Sequence, residues 1–364
     1  MAVSIKYNNK LQKEFSDSLK QRVDNFFQSA KLSKSGGSRI IIKAIILTVT
    51  YLGAYAMIMT NYFNVYQMWI LSAVIGFAAA GIGMGYMHDA NHGSFSKSKK
   101  VNKIFGFSME MLGGCTLNWK IQHNNLHHTF TNIENADDDI SSRPLYRFTK
   151  GAKHYKMHRF QHIYMFFLYG LMTFSWLFVA DYFQLTRYYK AGYFTKKMTF
   201  RRELSKLIFF KVLYLGYIVV LPLIFVDITW WQYIIGLFTT HFIIGFVLAV
   251  TFQMAHLVEK TDFPDPENNQ INNNWFVHQL ATTANFAPKN KLLTWYIGGL
   301  NFQVEHHLFP KVSHIHYPKL AEIVKNTCKE YNIKYNTYKT LPNALASHIR
   351  MLIKMGRTPA NSVV

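Results

Sequence analysis

Four segments of this chain are long and apolar enough to cross a bilayer, and nothing else in the sequence narrows the fold so far. A hydrocarbon core about 30 Å thick takes roughly 20 apolar residues in a helix. Backbone N–H and C=O groups find no water there, so the segment must satisfy them internally. Residues 40–60, 68–87, 207–226 and 230–255 meet the requirement, with Lys43 the one charge near the start of the first. The connectors 61–67 and 227–229 are short and hold no Lys or Arg. Residues 88–206 and the amino-terminal arm are dense in both. The positive-inside rule then puts the basic parts on the cytoplasmic side, with both termini. A fifth apolar stretch, 163–182, is expected to lie in the interface, because a further crossing would move the basic residues around Arg201 outside. The expected fold class is all-α integral membrane: four transmembrane helices as two hairpins, one interfacial helix, and a cytoplasmic helical cap from 88–206 and 256–364.

Lys and Arg number 40 against 19 Asp and Glu, a net charge of +21. Basic loops beside anionic headgroups account for this, and no nucleic-acid motif accompanies it. Cys115 and Cys328 cannot make a disulfide framework. Residues 1–39 carry no apolar run of the signal-peptide kind. Leu11, Phe15, Leu19, Val23 and Phe26 recur there at helical spacing, which predicts a separate amphipathic cytoplasmic arm ahead of a membrane domain at 40–364. Gly81-Ile-Gly83-Met-Gly85 lies inside an apolar span and predicts close helix packing rather than a nucleotide loop.

Histidine carries the functional signal. Three clusters hold seven of the 16 histidines: His88-Asp-Ala-Asn-His92, His123-Asn-Asn-Leu-His127-His128 and Gln303-Val-Glu-His306-His307. In α-helices, His88 and His92 share a face, as do His123 and His127, and as do Gln303, His306 and His307. Imidazole is the commonest nitrogen ligand for metals. All three clusters fall on the same expected side of the membrane. An eighth histidine, His256, sits where the fourth span reaches that side. Eight imidazoles exceed the need of one four-coordinate ion, so two metal ions are the natural reading. His278, Asp89, Asn91, Asn124, Asp137 and Asp139 are candidates to ligate or to orient the ligands. Lys120, Arg143 and Arg147 are candidates to hold a substrate headgroup. His154, His158 and His162 form an i, i+4, i+8 stripe expected to face lipid headgroups. His241 is expected as a hydrogen-bonded core residue, and His314, His316 and His348 as surface residues.

This set of boxes resembles the integral-membrane fatty acid desaturases, whose pattern is His-x3-His, His-x3-His-His and (His or Gln)-x2-His-His. The likeness covers nearly the whole chain. Gln303 at the head of the third box, the run Trp119-Lys-Ile-Gln-His123 and the acidic Asp137-Asp-Asp139-Ile resemble the front-end branch. Those enzymes insert a double bond between an existing one and the carboxyl end. The chain is also similar to bacterial acyl-CoA desaturases of the linoleoyl-CoA type, which implies a bacterial inner membrane. The resemblance implies two iron ions held by the boxes and His256, with O2 as co-substrate. It implies a cis double bond formed in a long acyl chain on CoA or in a lipid. Many eukaryotic front-end enzymes carry a fused cytochrome b5 with a His-Pro-Gly-Gly motif, which is absent from this sequence. A separate donor, a ferredoxin or a free cytochrome b5, is therefore expected. A membrane di-iron hydroxylase shares the same boxes and stays open as an alternative. A metal transporter would place its ligands near the bilayer midplane instead.

Overall fold

The computed structural model describes residues 4–359, so the ends of the amino-terminal arm and of the carboxy-terminal part lie outside the described residues. The described chain is mostly helical, and its few strands are two residues long. It divides into two compact units, one built from Gly37–Ile121 and Phe167–Val250, the other from residues 4–36, Gln122–Phe166 and residues 251–359.

The first unit holds the apolar helices. Four are long and apolar enough to cross a membrane: Gly37–Met59, Val65–His92, Phe200–Phe225 and Trp230–His256. The second runs five residues past its expected end, through a π-turn at Gly83–Met87, and so carries His88 and His92 on its own last turn. It stops where Gly93 adopts a left-handed φ of 79°, a conformation that costs glycine nothing. Asn64 and Gln67 cap its start with reciprocal bonds. The two short connectors touch: the Asn61 side chain donates to the Phe225 carbonyl and accepts from the Asp227 N–H, both at 2.7 Å. Close packing falls partly where expected. A Cβ on Gly85 would come within 3.3 Å of Leu47 and Lys43, while one on Gly76 would come within 2.9 Å of the Thr240 carbonyl.

The fifth apolar stretch is a broken helix. Lys156–Gly170 and Met172–Lys190 meet at a bend of 60°. Its second limb is pinned by charge. Lys211, buried in the third apolar helix, contacts the Asp181 carboxylate and also donates to the Gly113 and Trp176 carbonyls at 2.6 and 3.0 Å. Asn118 donates to the Asp181 carbonyl at 2.8 Å. A buried pair of this kind balances desolvation against attraction, but breaking it leaves a bare charge. Lys211→Met alone should therefore destabilise the protein by about 3–5 kcal/mol. Lys211→Met together with Asp181→Leu should recover most of that. Thermal unfolding in detergent reads both, and equal losses in single and double variants would reject the pairing. His241 is the core residue expected, with Thr173 Oγ1 at 3.1 Å and Tyr214 Oη at 3.0 Å.

The second unit is also mostly helical, and the amino-terminal arm belongs to it. Lys13–Ser29 is helical and buries Phe15, Leu19, Val23 and Phe27 against Leu280, Phe302, Leu308, Tyr317, Leu320 and Val324. The register ends on Phe27, with Phe26 only partly buried and Leu11 exposed. Each such side chain contributes about 2 kcal/mol of burial. Ahead of this helix, Lys6–Tyr7 pairs in parallel with Gln270–Ile271.

Several basic residues prove structural. Arg147 is fully buried, and its guanidinium donates to the carbonyls of Lys150, Ala152, Met355 and Thr358. It therefore leaves the set of headgroup candidates: its guanidinium staples the carboxy-terminal helix Leu341–Arg357 to the 147–152 loop. Arg147→Met should strand these acceptors and cost about 3 kcal/mol or more. Arg147→Lys, which lacks the planar fork, should recover only part of the loss in the same melting assay. Two histidines of the stripe are engaged within the protein rather than with headgroups. His158 is fully buried with Nε2 2.9 Å from the Pro144 carbonyl, and His154 Nε2 lies 2.8 Å from the Gly356 carbonyl. His314 and His348 are likewise buried rather than superficial, His348 donating from Nδ1 to the Leu257 carbonyl at 2.8 Å.

Candidate metal centre

The second histidine cluster is not wound as an α-helix. Residues Lys120–His127 form a π-helix, in which i and i+5, rather than i and i+4, come together. His123 thus meets His128, their Nε2 atoms 3.2 Å apart, while the His123 and His127 rings stand 5.3 Å apart. His123 and His127 still share one side, their Nδ1 atoms 3.6 and 3.5 Å from the same Asp139 oxygen, and the extra residue per turn lets the cluster serve two pockets.

In the first pocket, His128 Nε2 lies 3.2 Å from His123 Nε2 and 2.9 Å from His306 Nε2. In the second, ring nitrogens of His127, His256 and His307 all lie within 4.8 Å of one another, and all three residues are buried. His256 comes from the last turn of Trp230–His256, and His306 and His307 from the short helix Gln303–Leu308. His256 Nε2 is buried with no hydrogen-bond partner among the described residues. Such an orphaned nitrogen is costly unless something else satisfies it.

The outer nitrogens explain why the inner ones converge. His127 Nδ1 sits 3.0 and 3.1 Å from the two oxygens of Asp137. His306 Nδ1 sits 3.1 Å from Tyr317 Oη, His307 Nδ1 2.8 Å from Gln279 Oε1, and His256 Nδ1 3.3 Å from the Thr282 carbonyl. His123 Nδ1 is 3.6 Å from Asp139. An acceptor on Nδ1 keeps the proton there and turns the Nε2 lone pair inward, the arrangement that metal-bound histidines use. The donor set therefore fits one or two transition-metal ions.

Asp137 is the hub of the loop after the second cluster. It is buried and accepts the N–H groups of Asn132 and Asp139, both at 2.9 Å, besides facing His127. Burial alone would lower the His127 pKa, but Asp137 and Asp139 outweigh it and push it up to about 9. Burial would raise Asp139, yet His127 and His123 hold its carboxyl well below the usual range. His123 is lowered, chiefly by burial, and so favours the neutral form that ligation needs.

The first histidine cluster lies in the other unit. His88 and His92 stand one turn apart with ring centroids at 4.6 Å, and Trp119 packs edge-on against them at 5.6 and 5.5 Å. Asp89 is buried and interacts electrostatically with Lys43 of the first apolar helix. Asn91 donates to the Gly106 carbonyl at 3.2 Å and to Met87 Sδ. Asn124 is half-buried on the π-helix.

Gln303 is buried, and neither polar atom of its amide has a partner among the described residues. His278 is buried but is not among the converging nitrogens of the described residues. Its ring packs 5.0 Å from that of Tyr7, which reaches in from the amino-terminal strand and donates to the Thr129 carbonyl. Lys120 is half-buried and Arg143 exposed. Sequence reasoning missed Tyr7, Thr131, Gln279, Thr282 and Tyr317. Only Gln279, adjacent to His278, had a signal nearby.

The fatty acid desaturase family model matches residues 63–339. The chain is 35% identical to the sn-1 linoleoyl-lipid 6-desaturase of Synechocystis sp., over 98% of this chain and 99% of that one. It is 31% identical to the enzyme of the same description from Arthrospira platensis, over 96% and 95% of the two chains. An acyl-lipid (8-3)-desaturase from Physcomitrium patens is 33% identical over 98% of this chain and 74% of that one. With the second and third histidine boxes converging as described, these matches make the chain a member of the fatty acid desaturase family.

Proposed function

We propose that this desaturase is an O2-dependent di-iron enzyme acting on a lipid-bound acyl chain, with front-end regiochemistry and a cis product. The observation that carries the reading is the inward turn of Nε2 atoms whose Nδ1 partners are fixed. His127, His256 and His307 would hold one ion, and His123, His128 and His306 a second. His88 and His92 complete the set of eight ligands on the strength of their spacing, and Gln303 is the further candidate. An unactivated methylene offers no acidic proton, and bound iron would supply the O2-derived oxidant that its oxidation needs. Asp137, Gln279, Tyr317 and the Thr282 carbonyl orient the rings, and burial of the donor set excludes water from the pockets. Asp139 acts on the second box through charge.

Lipid is favoured over CoA because the cyanobacterial relatives are linoleoyl-lipid enzymes by name. Lys120 and Arg143 are the remaining candidates for headgroup contact. The basic connectors favour an inner-membrane protein with its boxes and both ends on the cytoplasmic side. Electrons would come from a separate donor of ferredoxin or cytochrome b5 type.

The test is fatty acid analysis of a host that has linoleoyl lipids and a ferredoxin system. A new double bond on the carboxyl side of the existing ones is expected only with the intact chain. A hydroxylated product, or a double bond toward the methyl end, would reject the reading.

A further inference from the structure

Four of the converging histidines rest on four chemically different acceptors: a carboxylate behind His127, a phenol behind His306, a backbone carbonyl behind His256 and a side-chain amide behind His307. The amide is Gln279, fully buried on the helix Trp275–Thr282. Its Oε1 lies 2.8 Å from His307 Nδ1 and also 2.8 Å from Thr131 Oγ1. The Thr131 hydroxyl is in turn 2.6 Å from the His127 carbonyl. Gln279 Nε2 has no partner among the described residues.

Only one orientation of this amide suits a metal-bound His307. If Nε2 of the ring ligates, Nδ1 carries the proton and needs an acceptor, which is the amide oxygen. The reverse orientation would set two N–H groups against each other. An unpaired amide nitrogen is tolerated on the far side although a buried donor left unsatisfied is costly, so something outweighs that cost. The outcome is a neutral acceptor on His307 in the same pocket where His127 has an anionic one. An anionic acceptor makes the imidazole a stronger donor than a neutral one does.

We propose that Gln279 is the positioning residue of His307: its amide oxygen holds the ring with Nε2 turned into the pocket, and its neutrality keeps His307 a weaker donor than His127. The inference rests on the di-iron reading above.

The test uses the full chain purified in detergent, titrated anaerobically with ferrous iron, with helicity followed by circular dichroism. Gln279→Leu should lower iron affinity about 10–100-fold with helicity kept. Gln279→Glu restores an acceptor of similar size and should bring the affinity back to within a few-fold of the parent. Because it is anionic, it should also move the reduction potential of the bound iron to a more negative value, measured by redox titration. A merely structural role would not produce that rescue and shift, since a buried carboxylate would only add cost. Iron affinity in Gln279→Leu within twofold of the parent overturns the inference, and so does an unshifted potential in Gln279→Glu. His307→Ala separates the two levels. If the parent binds iron and His307→Ala weakens it while Gln279→Leu does not, only the Gln279 inference fails. If the folded parent binds no iron, the di-iron reading fails and takes this inference with it.

Discussion

His306→Ala should leave a folded protein that makes no detectable unsaturated product. His306 Nε2 stands 2.9 Å from His128 Nε2, and its Nδ1 is tied to Tyr317. Truncation removes the ligand and frees His128 to rotate, so one pocket loses two of its three rings. The expected loss of activity is at least about 10³-fold, the range seen when a group essential to the chemistry is deleted. The control is His241→Asn. His241 is also buried and also bonded through both nitrogens, but to Thr173 and Tyr214. That variant should melt earlier yet bind iron with the parent's stoichiometry. Product analysis and iron content, measured on both variants, decide the matter. Retention of a tenth of the activity in His306→Ala would remove His306 from the ligand set, and loss of iron in His241→Asn would show that burial alone does not separate the two kinds of histidine.

The contrast marks what the sequence could and could not convey. The spans were legible because hydropathy over 20 residues is a one-dimensional signal, and their ends agree to within a few residues except at His88–His92, where the second helix continues, and at Phe200, where the third begins seven residues early on a basic turn. Box identity was legible from residue type and spacing. Helical winding was not: α and π differ by one residue in the hydrogen-bond register, and no side chain in Lys120–His127 announces the wider turn. Arg147 was misread for a related reason. Composition counts a guanidinium as basic whether it meets a phosphate or, as here, backbone carbonyls. Lys211 passed unnoticed within an apolar run because its partner, Asp181, is 30 positions away. Gln279 and Tyr317 carry no pattern either, since a residue that orients a ligand is defined by where the chain returns in space.

Asp137→Asn is the sharper test of that outer layer, because it changes no ligand. The carboxylate accepts His127 Nδ1 and the N–H groups of Asn132 and Asp139 while fully buried. An amide of the same shape offers one acceptor oxygen and two unwanted N–H donors. If the oxygen stays with the backbone, the NH2 group faces Nδ1, and the ring keeps its lone pair on Nδ1 and its proton on Nε2. That is the wrong tautomer for ligation. If the oxygen turns to His127, the loop from Asn132 to Asp139 loses its bonds, and Asp139 shifts away from His123. Either way the His127 pocket weakens, with an expected fall in iron affinity of about 10–100-fold. Desaturation should fall at least as far, while helicity is kept. Asp138→Asn, one position along and half-buried, should do neither. Iron titration separates the outcomes: equal affinity in Asp137→Asn and parent would mean that His127 needs no carboxylate behind it, and the proposal that Asp137 orients it would fall.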